Sequence, residues 1–357
     1  MSSVHGEFLM DSLIEVDRLR KYFPVTGGIF RRRMGDVRAV DDVSFKIYKG
    51  ECFGLVGESG CGKTTFGKTV IRLLKPTAGH IYLGAPDEAK DSIRKLEEAN
   101  PKSKELSKLR REYDLSSFRG RKLHLLRRKM QLVYQDPTTS LNPRMLVKDI
   151  VGEPLRVQKV AKGSEVRPRV IEILRKVGLT ERHLYRYPHE FSGGQRQRIA
   201  VARALVTAPE FVVLDEPTSA VDVSVRAQLL NLFQELQKDL GLTYLFVSHD
   251  LSVVECISDR VAVMYLGKVV ELAETAELYK TPLHPYAHAL FSSIPIPDPA
   301  KRKRRAPLKG EVPSPVNPPP GCRFNPRCEK ATEICRKELP KLVDVGNGHF
   351  VACHFIS

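Results

Sequence analysis

Short apolar runs alternate along the chain with longer segments of helical periodicity. The runs in "ECFGLVG", "KMQLVYQDP", "EFVVLDEP" and "LTYLFVSHD" each end at a glycine or at polar residues, as buried strands do. Between them the pattern predicts helices from Lys63 to about Leu74 and from Ser224 to about Leu240, with further helical periodicity over residues 145–209. Strands that alternate with helices favour an α/β fold with a largely parallel sheet.

The remaining segments suggest where the chain divides. Residues 13–56 read as strands, and "VAVMYLGKVVELA" reads as a hairpin. Residues 85–122 are highly charged and predict an exposed insertion that is helical in part. After about Pro282 prolines crowd the chain, which is typical of a linker. We therefore predict one domain over residues 1–275 and a proline-rich extension over residues 276–357.

Composition indicates a soluble protein of the cell interior. The chain has 357 residues, and its 42% hydrophobic content is enough for a sizeable core. No apolar run approaches the ~18 residues that a membrane-spanning helix needs. The start, "MSSVHGEFLMDSL", lacks the features of a secretory signal. In a cytoplasmic protein disulfides are not expected, and clustered cysteines more often bind metal.

The formal net charge of +16 lies largely in local runs such as "FRRRM", "RGRKLHLLRRK" and "KRKRR". Such runs suit anionic membrane headgroups, phosphate-rich ligands or plain solvation. No aromatic residues interleave them as a base-stacking platform would require. We therefore predict no direct binding of nucleic acid.

A phosphate-binding loop is predicted at "GLVGESGCGKTT". It holds the pattern G-x-x-x-x-G-K-T from Gly57 to Thr64, between a predicted strand and a predicted helix. Glycines let successive backbone N–H groups curl around a phosphate, and the helix N-terminus adds positive potential. Lys63 would reach the outer phosphates, and the Thr64 hydroxyl would ligate Mg²⁺.

Polar side chains that follow three other strands complete a hydrolytic site. Asp215 and Glu216 end "FVVLDEP", where Asp215 would hold Mg²⁺ and Glu216 would act as the general base toward water. His249, at the end of "LTYLFVSHD", would contact the terminal phosphate. Gln135, at the end of "MQLVYQ", would reach the same Mg²⁺ and water.

A second phosphate-binding helix start is predicted in "HEFSGGQRQRIAVARAL". Ser192, Gly193, Gly194 and Gln195 come directly before a strong helix. One chain does not need two such helix starts for one nucleotide, but two chains placed head to tail do. Each copy would then offer its Ser192 loop to the nucleotide held by the other copy's Lys63 loop.

The segments "GESGCGKTT", "VYQDP", "FSGGQRQR", "VVLDEPTSAVD" and "VSHD", in this order, resemble an ATP-binding cassette (ABC) ATPase over roughly residues 12–275. The resemblance implies a P-loop NTPase (RecA-like) core, an antiparallel β subdomain and a helical subdomain at about residues 136–205. It implies that Phe23, or its neighbour Tyr22, stacks on adenine. Further ATP contacts implied are Gly57, Ser59, Gly60, Cys61, Gly62, Lys63, Thr64, Thr65, Ser192, Gly193, Gly194, Gln195 and Asp222.

A finer resemblance extends over almost the whole chain. "YQDPTTSLNPRM", "TPLHPYAHAL" and "GEVPSPVNPPPGCRFNPRC" are similar to the second ATPase of peptide, nickel and oligosaccharide importers of the oligopeptide permease type. This implies three kinds of partner: a paralogous second ATPase, two transmembrane permease subunits and an extracytoplasmic solute-binding protein. It also implies a place on the cytoplasmic face of the cell membrane. The insertion over residues 85–122 is longer than that group predicts.

The last residues gather four cysteines, Cys322, Cys328, Cys335 and Cys353, with the spacing C-x5-C-x6-C-x17-C. Four thiolates suit either tetrahedral zinc or a cubane cluster. The importer resemblance favours a [4Fe–4S] cluster over zinc. A metal there would tie down a tail that cannot build a core of its own.

Two other functions stay open on the sequence alone. A soluble ABC ATPase of translation or DNA repair would need two cassettes or a long coiled coil, and the sequence has one cassette and no sustained heptads. A non-hydrolysing metal-binding module would have no need of Glu216 and His249.

Overall fold

The protein is described here from a computed structural model that covers residues 11–27, 32–294 and 310–356. Its strands are β1 (Ser12–Gly27), β2 (Arg32–Tyr48), β3 (Cys52–Val56), β4 (Ala78–Leu83), β5 (Met130–Val133), β6 (Phe211–Asp215), β7 (Thr243–Val247), β8 (Arg260–Tyr265), β9 (Lys268–Glu274), β10 (Val343–Asp344) and β11 (Phe350–Val351). Its helices are α1 (Lys63–Val70), α2 (Asp87–Ala99), α3 (Lys104–Tyr113), α4 (Gly120–Lys129), α5 (Pro137–Ser140), α6 (Val147–Val157), α7 (Val166–Lys176), α8 (Gly193–Leu205), α9 (Val223–Leu240), α10 (Leu251–Ile257), α11 (Thr275–Lys280), α12 (Pro285–Ser292) and α13 (Glu333–Lys337).

Two sheets organise the described residues. The larger has the order β10-β11-β9-β8-β3-β7-β6-β5, and the five strands from β8 to β5 are parallel. The smaller is antiparallel, with the order β2-β1-β4. The prediction of an α/β fold with a largely parallel sheet is confirmed.

Burial explains why the central strands read as apolar runs. Every residue of β3, β6 and β7 is buried, because helices cover both faces of a parallel sheet. The carboxyl ends of these strands therefore meet at one edge, which is where polar side chains collect. Helix α1 ends at Val70, earlier than predicted, because residues 71–74 fold into a turn in which Arg72 has a φ of 61°.

The helices α5 to α8 pack together beside the sheet. Leu155, Leu174 and Leu184 are fully buried among them, and α6 and α8 lie against each other. This helical region joins the sheet where α8 packs against β5 and where the C-terminal end of α8 leads to β6. The Ser192 loop, at the other end of α8, lies at the surface.

The charged segment of residues 85–122 is less exposed than the sequence predicts. It forms α2, α3 and a 3-10 turn, and its Asp114 is completely buried against β4. His80 on β4 lies between Asp114 (2.9 Å) and Glu97 of α2 (3.0 Å), and the Lys90 ammonium donates to Glu15 of β1 (2.7 Å). Part of the charge of this segment therefore forms ion pairs that dock it onto the antiparallel sheet. The density of charge along the sequence does not show which charges pair in this way.

The C-terminal segment joins the main sheet. β11 pairs with β9, and the His349 imidazole contacts the fully buried carboxylate of Glu271 at 2.7 Å. Backbone N–H groups of Leu283 and His284 donate to the same carboxylate. The extension is thus packed onto the sheet of the first domain. No helix in the described part of the chain is long and apolar enough to cross a membrane.

Candidate nucleotide-binding site

The loop between β3 and α1 has the backbone of an anion cradle. Gly57, Gly60 and Gly62 all have positive φ angles, of 151°, 80° and 112°. A Cβ on Gly62 would lie 1.9 Å from the carbonyl oxygen of Ala39, so no side chain fits there. These glycines let the loop turn tightly before α1, whose N-terminal N–H groups face the same space.

Lys63 is buried and folds back over the loop. Its ammonium donates to the carbonyl oxygens of Gly57 (2.7 Å) and Glu58 (3.1 Å). It also lies 3.7 Å from the Cys61 sulfur, and none of these three partners carries a formal negative charge. The loop therefore presents a positive interior to phosphate, as its sequence pattern predicts.

Thr64 and Asp215 bring two hard oxygen ligands together. The Thr64 hydroxyl donates to Asp215 Oδ1 at 2.8 Å, and Asp215 ends the buried strand β6. Burial raises the pKa of Asp215, the Glu216 charge adds to that rise, and the Thr64 hydrogen bond and the Lys68 charge oppose it. A desolvated carboxylate beside a hydroxyl fits Mg²⁺, whose charge would offset the desolvation.

Glu216 is fixed from two sides. Its two carboxylate oxygens contact Gln135 Nε2 (2.8 Å) and His249 Nδ1 (3.0 Å). Its φ of 49° lies in the left-handed region, which is uncommon outside glycine. The structure thus brings together all three residues predicted to act on water, at the ends of β5, β6 and β7.

The Ser192 loop caps α8 and lies at the surface. The Ser192 hydroxyl accepts from the Gln195 N–H (3.3 Å), and Gln195 Oε1 accepts from the Ser192 N–H (3.1 Å), which is a capping box. Gly194 is buried with Val225 beside it, and Asp222 is exposed at the N-terminal end of α9. Within the described residues no hydrogen bond joins this loop to the Lys63 loop.

Neighbouring residues of β1 hold the two aromatic candidates. Tyr22 donates to Asp41 and lies beneath the Arg38 guanidinium, and burial together with Asp41 raises its pKa to about 12. Phe23 is half-buried with the Lys21 ammonium over its ring. Successive residues of a strand point to opposite faces, so only one of the two rings can stack on a base.

One group of contacts was not foreseen from the sequence. The Glu58 carboxylate in the phosphate loop accepts two hydrogen bonds from Arg327, and the Glu58 N–H donates to the Tyr286 hydroxyl (2.9 Å). The sequence offered two signals for this contact: Glu58 is a charged residue inside a glycine-rich loop, and Arg327 is an arginine inside a cysteine-rich tail. Nothing in local periodicity pairs them.

The four C-terminal cysteines line one small cavity with His284 and Phe324. They are free thiols, and burial and the other three cysteines raise the pKa of Cys322 to about 11. Over residues 11–27, 32–294 and 310–356, however, no group of three or more His, Cys, Asp or Glu side chains is placed to hold a metal ion. The [4Fe–4S] cluster expected from the sequence, with zinc as its alternative, therefore stays a prediction.

A glycine-rich phosphate loop, a Thr–Asp pair for Mg²⁺ and a restrained glutamate at the carboxyl edge of a parallel sheet define a P-loop ATPase. The family profile described as ABC transporter matches residues 40–219, and the one described as oligopeptide/dipeptide transporter, C-terminal region matches residues 270–335. The chain belongs to the ABC transporter family, as its ATP-hydrolysing, ATP-binding component, and the resemblance inferred from its motifs is confirmed.

Curated relatives extend over nearly the whole chain. The oligopeptide transport ATP-binding protein AppF of Bacillus subtilis is 48% identical over 349 residues, which cover 97% of this chain and 98% of that protein. The probable peptide ABC transporter ATP-binding protein y4tS of Sinorhizobium fredii is 43% identical over 346 residues, which cover 97% of this chain and 90% of that protein.

Solved structures agree on the fold. A dimeric ATP-binding cassette in a post-hydrolysis state bound to ADP and Pi is 25% identical, with a TM-score of 0.58 over 73% of this chain and 98% of that one. cbiO1 from Clostridium perfringens, part of an ABC transporter complex, is 25% identical with a TM-score of 0.56 over 76% of this chain and 91% of that one. Both likenesses support the ABC cassette fold.

Proposed function

We propose that this chain is the ATP-hydrolysing subunit of an importer for peptides, with oligosaccharides or related solutes as less favoured cargo. The observation that carries the proposal is Glu216, held by Gln135 and His249 beside the Asp215–Thr64 pair. The names of the relatives, which are oligopeptide and peptide transport ATP-binding proteins, supply the cargo class. A soluble ABC ATPase of translation or DNA repair and a non-hydrolysing metal-binding module lack such support, since the relatives named are transport proteins.

In the proposed reaction the residues act on ATP and one water. Lys63 and the loop N–H groups bind the β- and γ-phosphates, and Thr64 and Asp215 would hold Mg²⁺, which neutralises phosphate charge when bound. Glu216 accepts a proton from the attacking water, whose oxygen displaces ADP from the γ-phosphate. Gln135 orients that water, and His249 donates a hydrogen bond to the γ-phosphate.

The remaining contacts come from a second cassette. Its Ser192, Gly193, Gly194 and Gln195 would approach the γ-phosphate from the opposite side, with Asp222 near the same junction. The solved dimer of a related cassette supports this pairing. A paralogous second ATPase, two permease subunits and an extracytoplasmic solute-binding protein complete the importer, with this chain on the cytoplasmic face of the membrane.

The test compares Glu216→Gln with Glu210→Gln in the full importer. Glu210 lies before the same strand, and its carboxylate pairs with the exposed Lys129 at 2.9 Å, so it is a matched control. We expect Glu216→Gln to lower ATP turnover and peptide uptake by roughly 10²- to 10⁴-fold while ATP still binds. Full turnover in Glu216→Gln would contradict the mechanism, and ATP turnover that no peptide stimulates would contradict the cargo.

We also propose that Cys322, Cys328, Cys335 and Cys353 take up a [4Fe–4S] cluster, with zinc as the alternative. Their shared cavity and free thiols support this, together with the importer resemblance. The full chain, purified without oxygen, should contain iron and show broad visible absorption, and Cys322→Ser should lose both. The exposed Cys256→Ser is the control. Colourless protein with zinc would select the alternative, and metal-free protein would refute both.

A further inference from the structure

Two arginines of the cysteine-rich segment reach into the nucleotide site. Arg323 follows Cys322 directly, and Arg327 directly precedes Cys328. Both side chains are nearly buried, and both end on carboxylates of the first domain. An arginine is rarely buried without a specific partner, so the two contacts call for an explanation.

Arg327 holds the phosphate loop through Glu58. Its two terminal nitrogens donate to the two Glu58 oxygens at 2.7 and 3.0 Å, a bidentate pair. The Glu58 N–H is bound by Tyr286, and the Glu58 carbonyl accepts from Lys63 at 3.1 Å. The residue next to Gly57 is therefore restrained at its side chain, its N–H and its carbonyl, and one of its restraints is the phosphate-binding lysine itself.

Aromatic rings cover the arginine side of this ion pair. The Arg327 guanidinium lies 5.9 Å from the ring centres of both Tyr265 and Phe324, and those two rings pack edge to face at 5.3 Å. Tyr286 packs against both rings. Beside such apolar rings a charge-assisted bond is stronger than at the open surface, although the Glu58 side chain keeps about a quarter of its surface exposed.

Arg323 holds the opposite side of the site. It donates to the Asp41 carboxylate, which also accepts from Tyr22, and to the carbonyl oxygen of Leu266. Leu266 begins the turn between β8 and β9. The next residue of that turn, Gly267, donates its N–H to the phosphate-loop carbonyl of Cys61 at 2.8 Å. The second arginine thus supports β2 through Asp41, β1 through the Tyr22 that shares Asp41, and the phosphate loop through the β8–β9 turn.

We propose that Arg327 and Arg323 are positioning residues for ATP, and that the segment from Cys322 to Cys328 sets ATP affinity by holding them in place. The segment is tied down in turn, since the Cys322 N–H donates to the Cys335 carbonyl at 2.8 Å and Asn325 donates to the Cys322 carbonyl at 2.8 Å. Contacts with the C-terminal segment restrain the phosphate loop before ATP arrives. ATP binding therefore loses less conformational entropy in ordering the loop.

The first experiment separates binding from turnover in the full chain within its complex. Arg327→Ala should raise the KM for ATP about ten-fold with kcat nearly unchanged, because the loop must be ordered by ATP itself. Arg327→Lys should restore only part of the loss, since an ammonium cannot reproduce the bidentate fork. The exposed Arg336→Ala, in the same tail, should keep the parental KM. A fall in kcat at unchanged KM would overturn the proposal.

The second experiment tests the connection itself. Glu58→Ala should raise KM as Arg327→Ala does, and the double variant should be no worse than either one, because both remove the same restraint. Asn325→Ala, which removes the side-chain bond to the Cys322 carbonyl, should raise KM and show the same non-additivity with Arg327→Ala. Additive effects would show that the residues act separately, and an unchanged KM in Asn325→Ala would remove the tail from the proposal.

Discussion

At the residue scale the phosphate loop depends on backbone shapes that few side chains permit. Gly62 precedes Lys63 with a φ of 112°, and the space where its Cβ would lie is taken by the Ala39 carbonyl. Glu216 shows the opposite case, since a glutamate adopts a left-handed backbone in order to face Gln135 and His249. Strain of this kind persists at sites where position matters more than stability.

Gly62→Ala should therefore damage ATP binding as well as stability. We expect a loss of about 2–3 kcal/mol in the free energy of unfolding and at least a ten-fold weaker ATP affinity, because the loop must move off the Ala39 carbonyl. Gly84→Ala is the control: Gly84 has a φ of 56° with open space around it, and should lose only about 1 kcal/mol with no change in ATP affinity. Denaturant unfolding and a nucleotide titration measure both quantities.

At the element scale the charged segment is held by a buried histidine. Burial opposes the charged form of His80, but the hydrogen bond and charge of Asp114 and the charge of Glu97 outweigh it, so the pKa of His80 is raised above its usual value. Asp114 also accepts from Arg110 at 3.3 Å and from the Ser116 hydroxyl at 2.6 Å. This cluster joins β4, α2 and α3.

A raised histidine pKa means that the folded chain binds more protons than the unfolded chain near neutral pH. The stabilisation is therefore complete below the unfolded pKa of about 6.5 and is lost as pH rises through the folded value. The free energy of unfolding should fall more steeply from pH 6 to pH 8.5 in the parent than in His80→Gln. The exposed His288→Gln is the control and should keep the parental slope. Equal slopes in His80→Gln and the parent would contradict this assignment.

At the scale of the whole molecule the Ser192 loop lies at the surface, and no hydrogen bond among the described residues joins it to the Lys63 loop. Its described contacts are those of a helix cap, while its serine and Asp222 are exposed. In the part of the chain that the structure describes, the contacts of this loop do not explain its two glycines and exposed serine. A second cassette supplies that reason in the proposed function.

Two N-cap serines allow this to be tested. Ser192 caps α8 and Ser103 caps α3, each accepting a backbone N–H, at 3.3 and 3.0 Å. Ser192→Ala and Ser103→Ala should each cost about 1 kcal/mol of stability. Only Ser192→Ala should also weaken ATP-induced pairing of cassettes, measured by sedimentation of the hydrolysis-deficient Glu216→Gln chain. Equal pairing in both variants would count against the shared site.

Much of the site could be predicted from the sequence because it depends on local sequence patterns. A phosphate loop between a strand and a helix, carboxylates at the end of an apolar strand and a capping serine before a helix each follow from residues that are neighbours in the chain. The parallel order of β3, β7, β6 and β5 then brings Lys63, Asp215, Glu216, His249 and Gln135 to one edge. Parallel strands with covering helices leave few other arrangements.

Only the tertiary structure decided which distant charges meet. Glu58 and Arg327 are 269 residues apart, and the docking of His80 on Asp114 is equally invisible to periodicity. The charged segment looked exposed for the same reason, since a buried ion pair and a solvated one have the same composition. Local sequence determines what backbone shape and chemistry a segment offers, whereas the choice of partner depends on packing that the whole chain settles together.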